Sequence, residues 1–172
     1  TMKTPVMIEI YGQAAAGKFS LSDSIGIHNE FHSIVDGSTY SLNATGDSET
    51  ELYSLLGKKR TVYDVMYRMI TVSSNLATNV LIEKLGAAKI QATVVALGAS
   101  GMKVLRGVED QKAFDKGMSN ETTARGLSTL LEAIYAGKAA SKARNQTLVA
   151  VGSWVGDRIQ STCMLDDAAD VE

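Results

Sequence analysis

Three residue types are almost missing from this chain of 172 residues, which has one cysteine, one proline and one tryptophan. A lone cysteine, Cys163, excludes an internal disulfide framework and leaves the redox compartment open. The lone proline, Pro5, suits the first turn of a helix, where the N–H it lacks has no partner anyway. Charge of one sign is scarce too. A formal net charge of −2 gives no electrostatic case for nucleic acid or an acidic membrane surface. No apolar run is long enough to span a bilayer, and the first residues show no signal-peptide pattern. Internal repeats and low-complexity tracts are also lacking. The hydrophobic share, 45% of 172 residues, suffices for one sizeable core and implies a single domain.

The apolar residues fall mostly in helical periods. Pro5 opens a helix carrying Ile8, Ile10, Tyr11 and Ala15 to a stop at Gly17. Residues 18–59 are rich in Ser, Asp, Asn and Gly and read as a long irregular connection with one short helix near Glu51–Leu56. Val62, Val65, Met66, Met69 and Ile70 then recur at helical spacing behind Thr61, a good N-cap. Leu76, Val80, Leu81 and Leu85 form a second helix that stops at Gly86. Further helices are expected over Ala87–Leu97, over Thr122–Tyr135 with Leu127, Leu130, Leu131 and Ile134 as its stripe, and over Ala143–Val151. Gly101–Leu105 reads as a strand or a turn, and Asp110–Gly117 as a loop or a short helical piece.

Between the helices of Val62 and Leu76 lies a polar elbow, Ser73-Ser74-Asn75. A hydroxyl and a carboxamide two residues apart at such a junction can point side by side into a cleft. On its own the tripeptide reads first as ordinary cap and turn residues. Its surroundings, Met69 through Asn79, resemble the S-D-N region of the class A serine β-lactamases, which share a fold with penicillin-binding proteins. The opening Thr1-Met2-Lys3-Thr4-Pro5-Val6-Met7 resembles that family's S-T-M-K-T-P-V-M without its first letter. Lys3 then becomes the lysine of S-x-x-K, and the nucleophilic serine falls one residue ahead of Thr1. Serine and lysine three apart share a helix face, so the amine reaches the hydroxyl and activates it. Asn29–Gly37 and Glu51–Tyr53 resemble the connecting region of a β-lactamase-like subgroup. Leu105–Asp110 and Gly117–Arg125 resemble its omega loop.

The resemblance implies a role for each matched residue. Lys3 is a candidate base, Ser73 a relay carrying a proton to the departing ring nitrogen, and Asn75 a hydrogen-bonding partner of the substrate amide that also helps fix Lys3. Glu109 is the positional candidate for the carboxylate that activates the deacylating water, with Asp110 as its competitor; a solvated loop carboxylate is the plain alternative. Two departures stand out. Ser74 occupies the middle of the elbow, where class A enzymes usually have aspartate, and no K-T-G or K-S-G follows downstream. The match runs through about residue 140 and weakens beyond it. The segment Gly152–Glu172, with Trp154 and Cys163, shows no family pattern and is set apart from fold reasoning.

Two other motifs lead nowhere. Gly12–Lys18 satisfies G-x-x-x-x-G-K, but Phe19 stands where a Walker A loop needs a hydroxyl and Ala14–Ala16 favours continued helix. His28 and His32 have metal-ligand spacing, but Glu30 sits one position late for H-E-x-x-H. The expected fold is therefore mainly α. By resemblance it is the helical subdomain of the serine β-lactamase-like α+β fold, with the antiparallel sheet largely missing, over residues 1–151. The expected function is acyl-enzyme hydrolysis of β-lactam amides, in a chain expected to be truncated and inactive alone. The alternative is a non-catalytic helical module. No metal or organic cofactor is implied. A β-lactam-like small molecule is the expected ligand, with self-association through exposed apolar faces. Family members are commonly periplasmic, and localisation of this chain is left open.

Overall fold

Pro5 does stand in the first turn of a helix, α1 (Lys3–Ala15). The computed structural model describes residues 2–139. Every residue from Pro5 to Tyr11 is buried, Glu9 among them, so α1 is enclosed on all sides rather than along one stripe. A second enclosed helix, α3 (Asn75–Leu85), buries the whole run Leu76–Ile82. The two pack together, and α2 (Val62–Thr71) and α4 (Ala87–Ala96) close around them. Burial of a side chain such as Ile8 or Leu81 is worth about 1.5–3 kcal/mol each. The core therefore rests on these two helices.

The expected caps are in place. Thr61 accepts a hydrogen bond from Asp64 N at the start of α2. Gly86, at φ 85°, ends α3 and begins α4 in a conformation that most side chains avoid. The stripe of α2 faces inward at Val62, Val65, Met66 and Met69, with Ile70 half-buried. In α6 (Ala124–Tyr135) the buried positions are Gly126, Leu130, Ala133 and Ile134. Leu131, expected in its stripe, is 47% exposed.

The connection 18–59 carries more order than its composition suggested. β1 (Ser24–Gly26) pairs antiparallel with β4 (Lys59–Thr61), placing Ile25 opposite Arg60. β2 (Phe31–His32) pairs antiparallel with β3 (Thr39–Tyr40), placing Phe31 opposite Tyr40. Strands of two or three residues are too short to show a period, which is why they were invisible in sequence. Short 3-10 helices cover Ala44–Gly46 and Glu51–Leu55. Lys103 bridges Glu121 antiparallel, and α5 (Gln111–Asp115) fills the segment between them. Among the described residues the strands form only these two small pairs and one bridge, beside six α-helices. The helix expected over Ala143–Val151 and the segment 152–172 lie outside the described residues.

The two decoy motifs take ordinary structural places. The amides after Gly12 bond back within α1, with Ala16 N donating to Gly12 O and Lys18 N to Gln13 O, so they form no phosphate nest. His28 pairs with Glu83 at 2.5 Å and tilts against Phe31, while His32 is exposed on β2. The two histidines do not share a helix.

Candidate active site

Lys3 is the first residue of α1, and its half-buried side chain reaches the elbow between α2 and α3. The ammonium has three N–H groups and meets three acceptors. They are the Ser73 carbonyl oxygen, Ser73 Oγ at 2.8 Å and Asn75 Oδ1 at 3.1 Å. Burial disfavours the cation and lowers the Lys3 pKa from the ordinary 10.5 to about 8, although Asp47 and Glu109 pull the other way.

The elbow is built so that both Ser73 oxygens face that amine. Ser73 lies just past the end of α2 at φ 60°, the left-handed conformation usually given to glycine at a helix terminus. Ser74, fully buried, caps α3 by accepting from Ala77 N at 3.2 Å. The plain reading of the tripeptide as cap and turn thus describes Ser74 and the backbone of Ser73. Asn75 opens α3 and bridges two groups, accepting from Lys3 and donating through Nδ2 to Glu109 Oε1 at 2.8 Å.

Glu109 and Asp110, adjacent in sequence, are sent to different places. The exposed Glu109 has φ 62° and faces Asn75. Buried Asp110 accepts from Ser33 Oγ, Ile34 N and Ala113 N, tying the loop to the turn after β2 and capping α5. Among the described residues, Ser73 and Glu109 are the only non-glycine positions at positive φ. Strain of this kind costs on the order of 1–3 kcal/mol per residue and gathers at functional sites.

The loop carrying Glu109 is pinned by residues to which sequence reasoning assigned no role. Asn79, one turn beyond Asn75, accepts from Val108 N at 2.6 Å and donates to Val108 O at 2.9 Å. Asn120 accepts from Leu105 N and Arg106 N and donates to Arg106 O. Gly107 passes so close that an added Cβ would lie 2.6 Å from Asn79 Oδ1. A shallow cavity of about 200 Å³ flanks Glu109, lined by Arg106, Asp110, Gln111 and Phe114. An apolar hollow of about 250 Å³ beside Phe31 and Tyr40 contains none of Lys3, Ser73, Asn75 or Glu109, so hydrogen bonding rather than volume marks this site.

One end of α1, the α2–α3 elbow and a pinned loop therefore bring an amine, a hydroxyl, a carboxamide and a carboxylate into one connected network. Residues 1–151 match the sequence model of the Beta-lactamase enzyme family. The chain belongs to that family. Solved structures agree on the fold. A β-lactamase from Sphaerobacter thermophilus DSM 20745 is 25% identical with a TM-score of 0.70, the match covering 88% of this chain and 52% of that one. The structure named PBP-A is 22% identical with a TM-score of 0.68, covering 88% and 51%. A β-lactamase from Chitinophaga pinensis DSM 2588 is 23% identical with a TM-score of 0.67, covering 87% and 52%. No curated protein matches. The chain spans about half the length of these β-lactamase-like structures, and its described residues are the mainly helical part of their fold.

Asp47 was the least visible contributor. It approaches the β-lactamase-like elbow from the irregular connection, and its carboxylate accepts from Asn75 N and Leu76 N. Its sequence neighbourhood, Gly46-Asp47-Ser48, reads as an ordinary turn.

Proposed function

We propose that this chain carries the helical side of an acyl-transfer site for β-lactam amides, with Lys3, Ser73, Asn75 and Glu109 as its working groups. The observation that carries the reading is the unbroken chain of contacts from Lys3 through Asn75 to Glu109, with Ser73 Oγ on the same amine. An amine lowered to about 8 has a larger neutral fraction near pH 7 than an ordinary lysine, and only the neutral form can take up a proton. The family resemblance puts a serine immediately ahead of Thr1, one helical turn from Lys3, where its hydroxyl loses a proton as its oxygen attacks the lactam carbonyl. Ser73 both donates and accepts, so it relays the proton from Lys3 to the ring nitrogen as the C–N bond breaks. Asn75 Nδ2 has a second N–H, free of Glu109, for the amide side chain of the substrate. Glu109, held by Asn75, takes a proton from the water that attacks the acyl-enzyme carbonyl and frees the serine.

A PBP-A variant solved as its acyl-enzyme complex with penicillin G illustrates the covalent state in a relative with this fold. The test is incubation of the chain, extended to the span of the matched structures so that a serine precedes Thr1 and the remaining half of the fold is supplied, with a fluorescent penicillin, followed by intact-mass measurement. One covalent adduct is expected, and it should fade over time only when Glu109 is intact. Absence of any adduct on folded protein overturns the reading. A second reading, a non-catalytic self-associating helical module, draws on the exposed Val95, Leu131 and Tyr135. Light scattering separates the two, because a monodisperse monomer argues against association.

A further inference from the structure

The N-terminus of α3 decides where Ser73 and Asn75 point, and a carboxylate from outside the elbow holds it. Asp47 is 8% exposed and directly follows the short 3-10 helix Ala44–Gly46. Asn75 N lies 3.0 Å from its Oδ1 and 2.9 Å from its Oδ2, and Leu76 N lies 2.9 Å from Oδ2. Tyr53 Oη donates to Oδ2 at 3.0 Å, and Glu49 N to Oδ1 at 3.2 Å. Asn75 N and Leu76 N are first-turn amides of α3 with no partner inside the helix, where a negative charge is favoured.

The support continues outward. Glu49, also 8% exposed, accepts from Leu52 N and pairs with Arg68 of α2 at 3.1 Å. Arg68 also reaches Asp64 and Glu51. The segment 47–52 is therefore fastened to α2 by Arg68 and to α3 by Asp47, across the elbow they share. We propose that Asp47 is a positioning residue for the acyl-transfer groups, fixing the first turn of α3 so that Asn75 and Ser73 are aimed at Lys3. The proposal rests on the acyl-transfer reading above.

Ser74 already caps the same helix by accepting from Ala77 N, so Asp47 is not needed for that amide. What Asp47 adds is a fixed anion behind Asn75. Of the charges acting on Lys3, it is the strongest that favours the ammonium, ahead of Glu109. It thereby couples the aim of the elbow to the protonation of the amine.

The experiment uses the 172-residue chain and needs no turnover. The Lys3 amine is titrated by nitrogen-detected NMR, and the Asn75 side-chain amide is followed in the same samples. Asp47→Asn should move the Lys3 midpoint down by roughly half a pH unit or more and shift the Asn75 amide signals. Glu132→Gln, on an exposed side chain of α6, should move neither. Where Asp47→Asn does not fold, Asp47→Ser keeps a capping oxygen without the charge and gives the same reading. An unmoved Lys3 midpoint and Asn75 signal, with only a lower Tm, would reduce Asp47 to a helix cap and overturn the proposal. Failure of the penicillin adduct while Lys3 still responds to Asp47 would instead overturn the acyl-transfer reading alone.

Discussion

Lys3 and Ser73 each trade stability for geometry. The folded Lys3 pKa of about 8 lies below the ordinary 10.5. Between those values the unfolded chain binds more protons than the folded one, so stability rises with pH across that window. Chemical denaturation at pH 7.5, 9 and 10.5 should show this rise, and Lys3→Met should flatten it; an equal slope in both proteins refutes the assignment. Ser73 bears a related cost in its backbone at φ 60°. A β-carbon in that conformation costs roughly 1–2 kcal/mol relative to glycine. Ser73→Gly should therefore be more stable than Ser73→Ala by about that amount, while both lose the hydroxyl that faces Lys3. Equal melting temperatures for the two variants would show that the backbone there is unstrained.

At the scale of elements, the hydrophobic pattern spelled out the helices and their ends much better than the links between them. Thr61, Gly86 and the stripe of α2 were readable because capping and a 3.6-residue period are local properties. The elbow was readable as a motif, and Lys3, Ser73, Asn75 and Glu109 came with it from the resemblance. The partnership of Asp47 with Asn75 was not, since it spans 28 residues and depends on how an irregular segment folds back. The separate surroundings of Glu109 and Asp110 were equally hidden, because two adjacent carboxylates diverge only once the loop has its backbone turn. Gly107 tests how tightly that loop is held. A methyl group there would meet Asn79 Oδ1 at 2.6 Å and Tyr40 Oη at 3.0 Å. Gly107→Ala should lower stability by about 1–3 kcal/mol, as overpacking does. It should also displace the Val108 backbone from Asn79, visible as loss of amide protection at Val108. Wild-type stability and protection would mean that the loop accommodates the methyl group.

For the molecule as a whole, α1 and α3 are the decisive pair, because each is enclosed by the other helices and each begins at the candidate site. α1 carries Lys3 at its first residue and α3 carries Asn75 at its first residue. A change deep in either helix is therefore felt both as stability and as site geometry. Leu81, fully buried in α3, sits six residues from Asn75. Leu81→Ala should cost about 2–5 kcal/mol, a large share of the 5–15 kcal/mol typical of a domain. Leu131→Ala, at a position 47% exposed on α6, should cost far less. The two variants, compared by urea denaturation with tryptophan-independent detection such as far-UV circular dichroism, should share one m-value and differ in midpoint. A smaller m-value or a second transition in Leu81→Ala would show that α1 and α3 do not unfold as one unit, and that the site can lose its elbow while the remaining helices stay folded.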